Sequence, residues 1–118
     1  MDKILLKDMV FYGHHGFDST EKLLGQHWAV DVEIEGDLSS PAGTDSLKDT
    51  IDYTKVYTKV RNIVEKENFS LLESLAQRIA DILLESFPAY QVMVRVKKQH
   101  PPLGGPIKYA SVEIRRRK

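Results

Sequence analysis

The sequence predicts an α+β domain of order ββααββ, a four-stranded antiparallel sheet with two helices on one face. Three observations carry this. Trp28, Val30, Val32 and Ile34 alternate with polar or small residues, a period of two that belongs to a half-buried strand. Leu71, Leu72, Leu75, Ala76, Ile79, Ala80, Leu83 and Phe87 recur at helical spacing and make one apolar face. A second valine ladder, Val92, Val94 and Val96, follows that helix.

In chain order, Lys3 to Tyr12 is β-prone although less regularly alternating, and Gln26 to Leu38 is the clearest strand. Val56, Tyr57, Val60, Ile63 and Val64 mark the first long helix. Ser70 followed by Glu73 has the form of a capping box opening the second, and Pro88 lies where that helix should stop. Tyr90 to Lys98 and the Ala110–Val112–Ile114 alternation supply the last two strands. Both helices should cover the valine face. The opposite face carries Asp31, Glu33, Glu35, Arg95, Lys97, Glu113 and Arg115, which predicts a wet surface. An open four-stranded sheet leaves two edges, so self-association through them is expected.

The 118 residues, without linker or repeat, read as one domain spanning 1–118. Lysine plus arginine is 17 and aspartate plus glutamate is 17, a balance that argues against a nucleic-acid partner. The absence of cysteine removes disulfides and thiol nucleophiles and suits a cytoplasmic location. Charges interrupt every apolar run, so neither a membrane span nor a membrane partner is expected.

Four histidines, at 14, 15, 27 and 100, raise the question of zinc. Two ligands need spacing i, i+2 on a strand or i, i+4 on a helix, and adjacent His14 and His15 have neither. They read as a turn pair before Gly16, with no metal. No phosphate loop and no nucleophile elbow is present. The tail Arg115-Arg116-Arg117-Lys118 reads as a solubilising end, with an RNA-binding module as a weak alternative.

Four polar residues remain: Glu21 in a loop, Tyr53 and Glu73 at helix starts, and Lys98 at a strand end. The first helix should finish near the Glu21 loop, and the second should start there. A nine-residue strand returns about 30 Å at ~3.3 Å per residue, against about 25 Å for the second helix at ~1.5 Å. Lys98 therefore arrives near Glu73 and Glu21, on the helix-covered side. Tyr53 opens the first helix at the opposite end, so a neighbouring subunit would have to supply it. Singly, each residue also has an ordinary structural reading: a cap, a solvated strand end, a rim aromatic, a loop charge.

Phe11-Tyr12-Gly13-His14-His15-Gly16, then Glu21 and Gly25-Gln26, resembles the opening of bacterial dihydroneopterin aldolases. Asp49-Thr50-Ile51-Asp52-Tyr53, Leu71-Leu72-Glu73 with Leu75-Ala76, Lys98 with Pro101-Pro102, and Val112-Glu113-Ile114-Arg115 continue the pattern in order. His14 and the Leu103-Gly104-Gly105 loop depart from it, which bears on substrate preference. The resemblance implies the tunnelling fold, in which four subunits close into a β-barrel ring and two rings stack as an octamer with sites between subunits. It implies retro-aldol cleavage of 7,8-dihydroneopterin, a small-molecule pterin, to 6-hydroxymethyl-7,8-dihydropterin and glycolaldehyde. No cofactor is implied, because the ring's own N5=C6 imine accepts the electrons. By the same resemblance Glu73 and the Leu72 backbone bind the pterin, and Lys98 does the acid–base work. Tyr53 from the adjacent subunit covers the substrate and relays a proton, and Glu21 positions Lys98 and a water. Dihydroneopterin triphosphate epimerase, which inverts a side-chain carbon, is the alternative within the same fold.

Overall fold

A computed structural model describes residues 1–118. The strands are β1 (Asp2–Gly13), β2 (Gln26–Gly36), β3 (Gln91–Lys98) and β4 (Ala110–Arg117), antiparallel in the order β1-β2-β3-β4. Two long helices, α3 (Tyr53–Lys66) and α4 (Leu72–Ser86), lie on one face. α3 packs over β1, and α4 over β3 and β4. The core is the valine face, where Val30, Val32, Ile34, Val92, Val94 and Val96 meet Val56, Val60, Leu75, Ile79 and Leu83. No helix is long and apolar enough to cross a membrane.

Three short elements were not expected from periodicity: α1 (Ser19–Leu24), α2 (Ser39–Thr44) and a 3-10 turn at Leu47–Asp49. None buries a residue, so none leaves an apolar stripe to read. Glu21 accordingly sits in a helix rather than a loop. β2 stops at Gly36, short of Leu38, because Asp37 turns the chain by accepting from the Ser39 N–H at 2.9 Å. The capping box expected at Ser70 and Glu73 does not form. Leu71 occupies the cap position of α4 and makes no side-chain cap bond. The Ser70 hydroxyl instead accepts from Lys22 Nζ at 2.7 Å.

The sheet's outer face is charged but not uniformly wet. Asp31 is 1% exposed and Lys97 7%. A bulge in β1 between Leu6 and Met9 explains the difference. Asp8 takes a left-handed conformation there, φ 56°, which is unfavourable for a non-glycine residue. Its backbone N–H donates to Asp31 Oδ1 at 2.7 Å and its carboxylate pairs with Lys97, which closes the surface over the pair. Lys97 Nζ also lies 3.1 Å from Asp31 Oδ2, and Arg95 Nη1 lies 3.0 Å from the same oxygen.

Candidate active site

The site lies where β1, α1, α4 and the end of β3 meet, and local sequence builds each wall. Asp18 is the cap of α1, its Oδ1 accepting from the Thr20 N–H at 2.8 Å. Glu21, three residues later, completes the reciprocal box through Oε1, 3.4 Å from the Asp18 N–H. That leaves Oε2, which forms an ion pair with Lys98 Nζ. Gly16 permits this approach. Its φ is 139°, and a β-carbon there would stand 2.8 Å from Glu21 Cδ.

Lys98 has the parity of Val92, Val94 and Val96, so it enters the helix-covered side and is 8% exposed. It pairs in register with Trp28, and its ammonium lies 5.8 Å from the centre of an indole fixed by an Nε1–H bond to the Gly13 carbonyl, 3.1 Å. Glu73 follows Leu72 into the first turn of α4. Glu21, Leu72, Glu73 and Lys98 together line one cavity of about 150 Å³, walled also by His15, Phe17, Trp28 and Leu71.

The geometry brings Glu21, Leu72, Glu73 and Lys98 together and leaves Tyr53 out. Tyr53 is exposed at the first turn of α3, after the Asp52 cap. The other end of that helix reaches the site, since the Val64 carbonyl meets His15. Eleven residues of helix separate them, about 17 Å at ~1.5 Å per residue. A wider cleft of about 580 Å³ lies between α3 and the end of α4, lined by Thr54, Lys55, Thr58, Lys59, Asn62, Ser86 and Phe87. It holds no carboxylate, so it has no counterpart to the Glu21–Lys98 ion pair of the smaller cavity.

His15 is the wall residue that spacing could not single out, because its value lies in contacts with residues far along the chain. It is 2% exposed, with one ring nitrogen on Val64 and the other on Phe69, rather than at an open turn. Burial pushes its pKa below the ordinary histidine value of 6.5, against the raising influence of the Val64 carbonyl and Glu67 and with a further lowering from His14. Trp28 was more legible in part: alternation puts it on the core face, and the structure adds its register with Lys98.

Comparison with known proteins gives this geometry its family. Residues 4–115 match the FolB dihydroneopterin aldolase family model. The chain is 44% identical to dihydroneopterin aldolase of Bacillus subtilis, covering 100% of this chain and 99% of the relative. It is 40% identical to that of Streptococcus pyogenes, with both chains covered in full at 100%. Its fold matches E. coli dihydroneopterin aldolase in complex with neopterin, TM-score 0.91 at 23% identity, covering 98% and 99% of the two chains. It also matches a Burkholderia thailendensis dihydroneopterin aldolase bound to guanine, TM-score 0.80 at 23% identity, covering 99% and 91%. With the family model spanning nearly every residue and full-length relatives at 40% and 44% identity, this chain belongs to the dihydroneopterin aldolase family.

Proposed function

We propose that the cavity shared by Glu21, Leu72, Glu73 and Lys98 is where this dihydroneopterin aldolase cleaves 7,8-dihydroneopterin. The observation that carries the reading is the Glu21–Lys98 ion pair in one small cavity with Glu73. A carboxylate at the α4 terminus suits the amino and ring N–H groups of a pterin, which it can engage through paired charge-assisted hydrogen bonds. The α4 N-terminus, with no side-chain cap, leaves backbone N–H groups for the ring, Leu72 among them. The structural relative from E. coli was solved with neopterin, a ligand of the same ring class.

In the reaction the hydroxyl on the outer carbon of the breaking bond loses its proton and becomes the carbonyl of glycolaldehyde. The electrons of the broken carbon–carbon bond move into the N5=C6 imine. N5 takes a proton as the enol forms, and the enol then gains a proton at the side-chain carbon and releases the one on N5 to give 6-hydroxymethyl-7,8-dihydropterin. Lys98 exchanges protons with the hydroxyl and N5, held by Glu21. Because the ring is the electron sink, we read the enzyme as needing neither a metal nor a lysine Schiff base. The nearest histidines support this reading: His14 Nδ1 meets the Lys22 carbonyl at 2.9 Å, and both nitrogens of His15 are engaged with backbone.

A cavity of about 150 Å³ is well below the ~300–1,000 Å³ typical of small-molecule sites, which supports a second wall from another subunit. We therefore read the unpaired edges of β1 and β4 as the joints of a tetrameric ring, stacked in pairs as an octamer, with the neighbour's Tyr53 closing the site. The test is product analysis from 7,8-dihydroneopterin. Glycolaldehyde and the hydroxymethyl pterin should form in equal amounts, at an unchanged rate in EDTA and with no borohydride-trapped adduct on Lys98. Epimer without glycolaldehyde would overturn the aldolase reading, and a trapped adduct would overturn the pterin-as-sink mechanism.

A further inference from the structure

The N-terminus of α4 carries Leu72 and Glu73 into the cavity, yet nothing in its own sequence holds it there. Leu71 at the cap position makes no side-chain bond to the helix. The Phe69–Ser70 link before it is held from outside, by α1 and the segment that joins β1 to it. Phe69 N–H donates to His15 Nδ1 at 3.1 Å, and the Phe69 carbonyl accepts from the Gly16 N–H at 2.9 Å. Ser70 Oγ accepts from Lys22 Nζ at 2.7 Å.

Among these ties His15 is the one with chemistry of its own. A nitrogen that accepts from an N–H cannot itself be protonated, so Nδ1 is bare. Nε2, 2.8 Å from the Val64 carbonyl, therefore carries the hydrogen and donates. The imidazole stacks on Phe69, centroids 5.9 Å apart and 19° between planes, and meets the Trp28 edge at 5.4 Å and 77°. It thus ties β1, β2, the end of α3 and the start of α4 through one ring that also walls the cavity.

We propose that His15, as the neutral Nε2–H tautomer, is a positioning residue that sets the α4 N-terminus, and with it Glu73, for binding the pterin ring. The inference rests on Glu73 being the pterin ligand. Protonation of His15 would put a hydrogen on Nδ1 facing the Phe69 N–H, two donors in opposition, and release the link. His14 and Glu67 act on the ring from β1's end and the end of α3, and Glu21, Glu73 and Lys98 face the same cavity. With the folded value below the ordinary 6.5, the neutral ring's contribution is complete above about pH 6.5 and is lost as pH falls through the lower folded value.

The experiment uses two variants that each lose one of the two bonds. His15→Asn places an acceptor where Nδ1 was and keeps the Phe69 tie. His15→Gln reaches the Val64 carbonyl with a donor and loses the Phe69 tie. Binding of the hydroxymethyl pterin product is measured by calorimetry, with Glu73→Gln as control and amide exchange at Phe69 as a readout independent of activity. The expected result is near-wild-type affinity for His15→Asn and about tenfold weaker binding for His15→Gln, with faster Phe69 exchange only in the latter. The wild type should lose affinity on acidification below pH 6.5 along a limb that His15→Asn lacks. Equal affinities of the two variants, or a wild-type Nδ1 found protonated by nitrogen NMR at neutral pH, would overturn the positioning role. If Glu73→Gln itself leaves affinity unchanged, the pterin-binding role of Glu73 fails instead, and the two failures are distinct.

Discussion

Lys98 Nζ and Glu21 Oε2 form an ion pair in which the carboxylate also serves the box that opens α1. One oxygen holds a helix start and the other holds the ammonium at the end of β3, so the two jobs can be separated by substitution. Glu21→Gln keeps an oxygen for the cap and removes the charge, whereas Glu21→Ala removes both. If Lys98 does the acid–base work proposed for it, both variants should lose about a hundredfold in kcat/KM, because Lys98 loses its orienting partner. Only Glu21→Ala should lose the cap, roughly 1 kcal/mol in urea denaturation relative to Glu21→Gln. Full activity in Glu21→Gln would remove the positioning role of the charge.

Glu73 does not cap its helix, so replacing it carries no cap penalty. Glu73→Gln should leave Tm nearly unchanged and weaken product binding by about 1.5–3 kcal/mol, the worth of hydrogen bonds to a charged group. Calorimetry with the hydroxymethyl pterin decides this. An unchanged affinity sinks the recognition role.

The buried charges under the β1 bulge set a different limit, on stability. Burial works against ionisation of Asp31, but the Asp8 N–H, Lys97 and Arg95 outweigh it and hold its carboxyl below the ordinary 3.8. A depressed carboxylate contributes stability that is complete above the unfolded value, near pH 4, and is lost as pH falls through the folded one. Lys97 is the mirror case. Burial alone would lower it, but Asp8 and Asp31 raise it above 10.5, so its contribution is present below that pH and lost only above it. Asp31→Asn should therefore cost roughly 3 kcal/mol at neutral pH, by leaving Lys97 and Arg95 without their shared partner. The gap to wild type should be smaller at a second, acidic pH below the folded value, where the wild-type carboxyl is also neutral. Urea titrations at the two pH values measure it, and a gap that does not move would remove Asp31 as the source.

Element order and helix placement were legible because each long element buries one face and writes its period into the sequence, as Val92, Val94 and Val96 do. The meeting of Glu21, Glu73 and Lys98 followed from the path of the chain, the strand and helix lengths and the parity of Lys98. The cap assignment went wrong because Ser70-Leu71-Leu72-Glu73 satisfies the spacing of a box, while the Ser70 hydroxyl is taken by Lys22 from a helix with no apolar stripe. Asp31 and Lys97 read as solvated because alternation assigns a face but not what covers it, and the covering residue is a bulged aspartate. His15 was set aside as half of a turn pair, since Val64 and Phe69, its partners, lie about fifty residues away.

The proposal that the site is shared between chains makes the furthest-reaching prediction. Glu21, Glu73 and Lys98 surround one cavity that does not include Tyr53, and the molecule is elongated, 52 × 25 × 22 Å. Tyr53 opens α3 while the α3 residue in contact with the cavity wall is Val64, about 17 Å along the helix axis, well beyond the reach of one tyrosine. If ring closure through β1 and β4 sets one subunit's Tyr53 beside its neighbour's Lys98, each site draws on two chains. Tyr53→Ala and Lys98→Ala rings would then each be impaired at every site. Unfolded together and refolded as mixed rings, they should regain activity, because some interfaces combine an intact Lys98 from one chain with an intact Tyr53 from the next. With random mixing each requirement is met half the time, so about a quarter of sites should be complete. Native mass spectrometry verifies that rings have mixed. Verified mixing with activity no higher than in the separate variants would place Tyr53 outside the site and leave the cavity to a single chain.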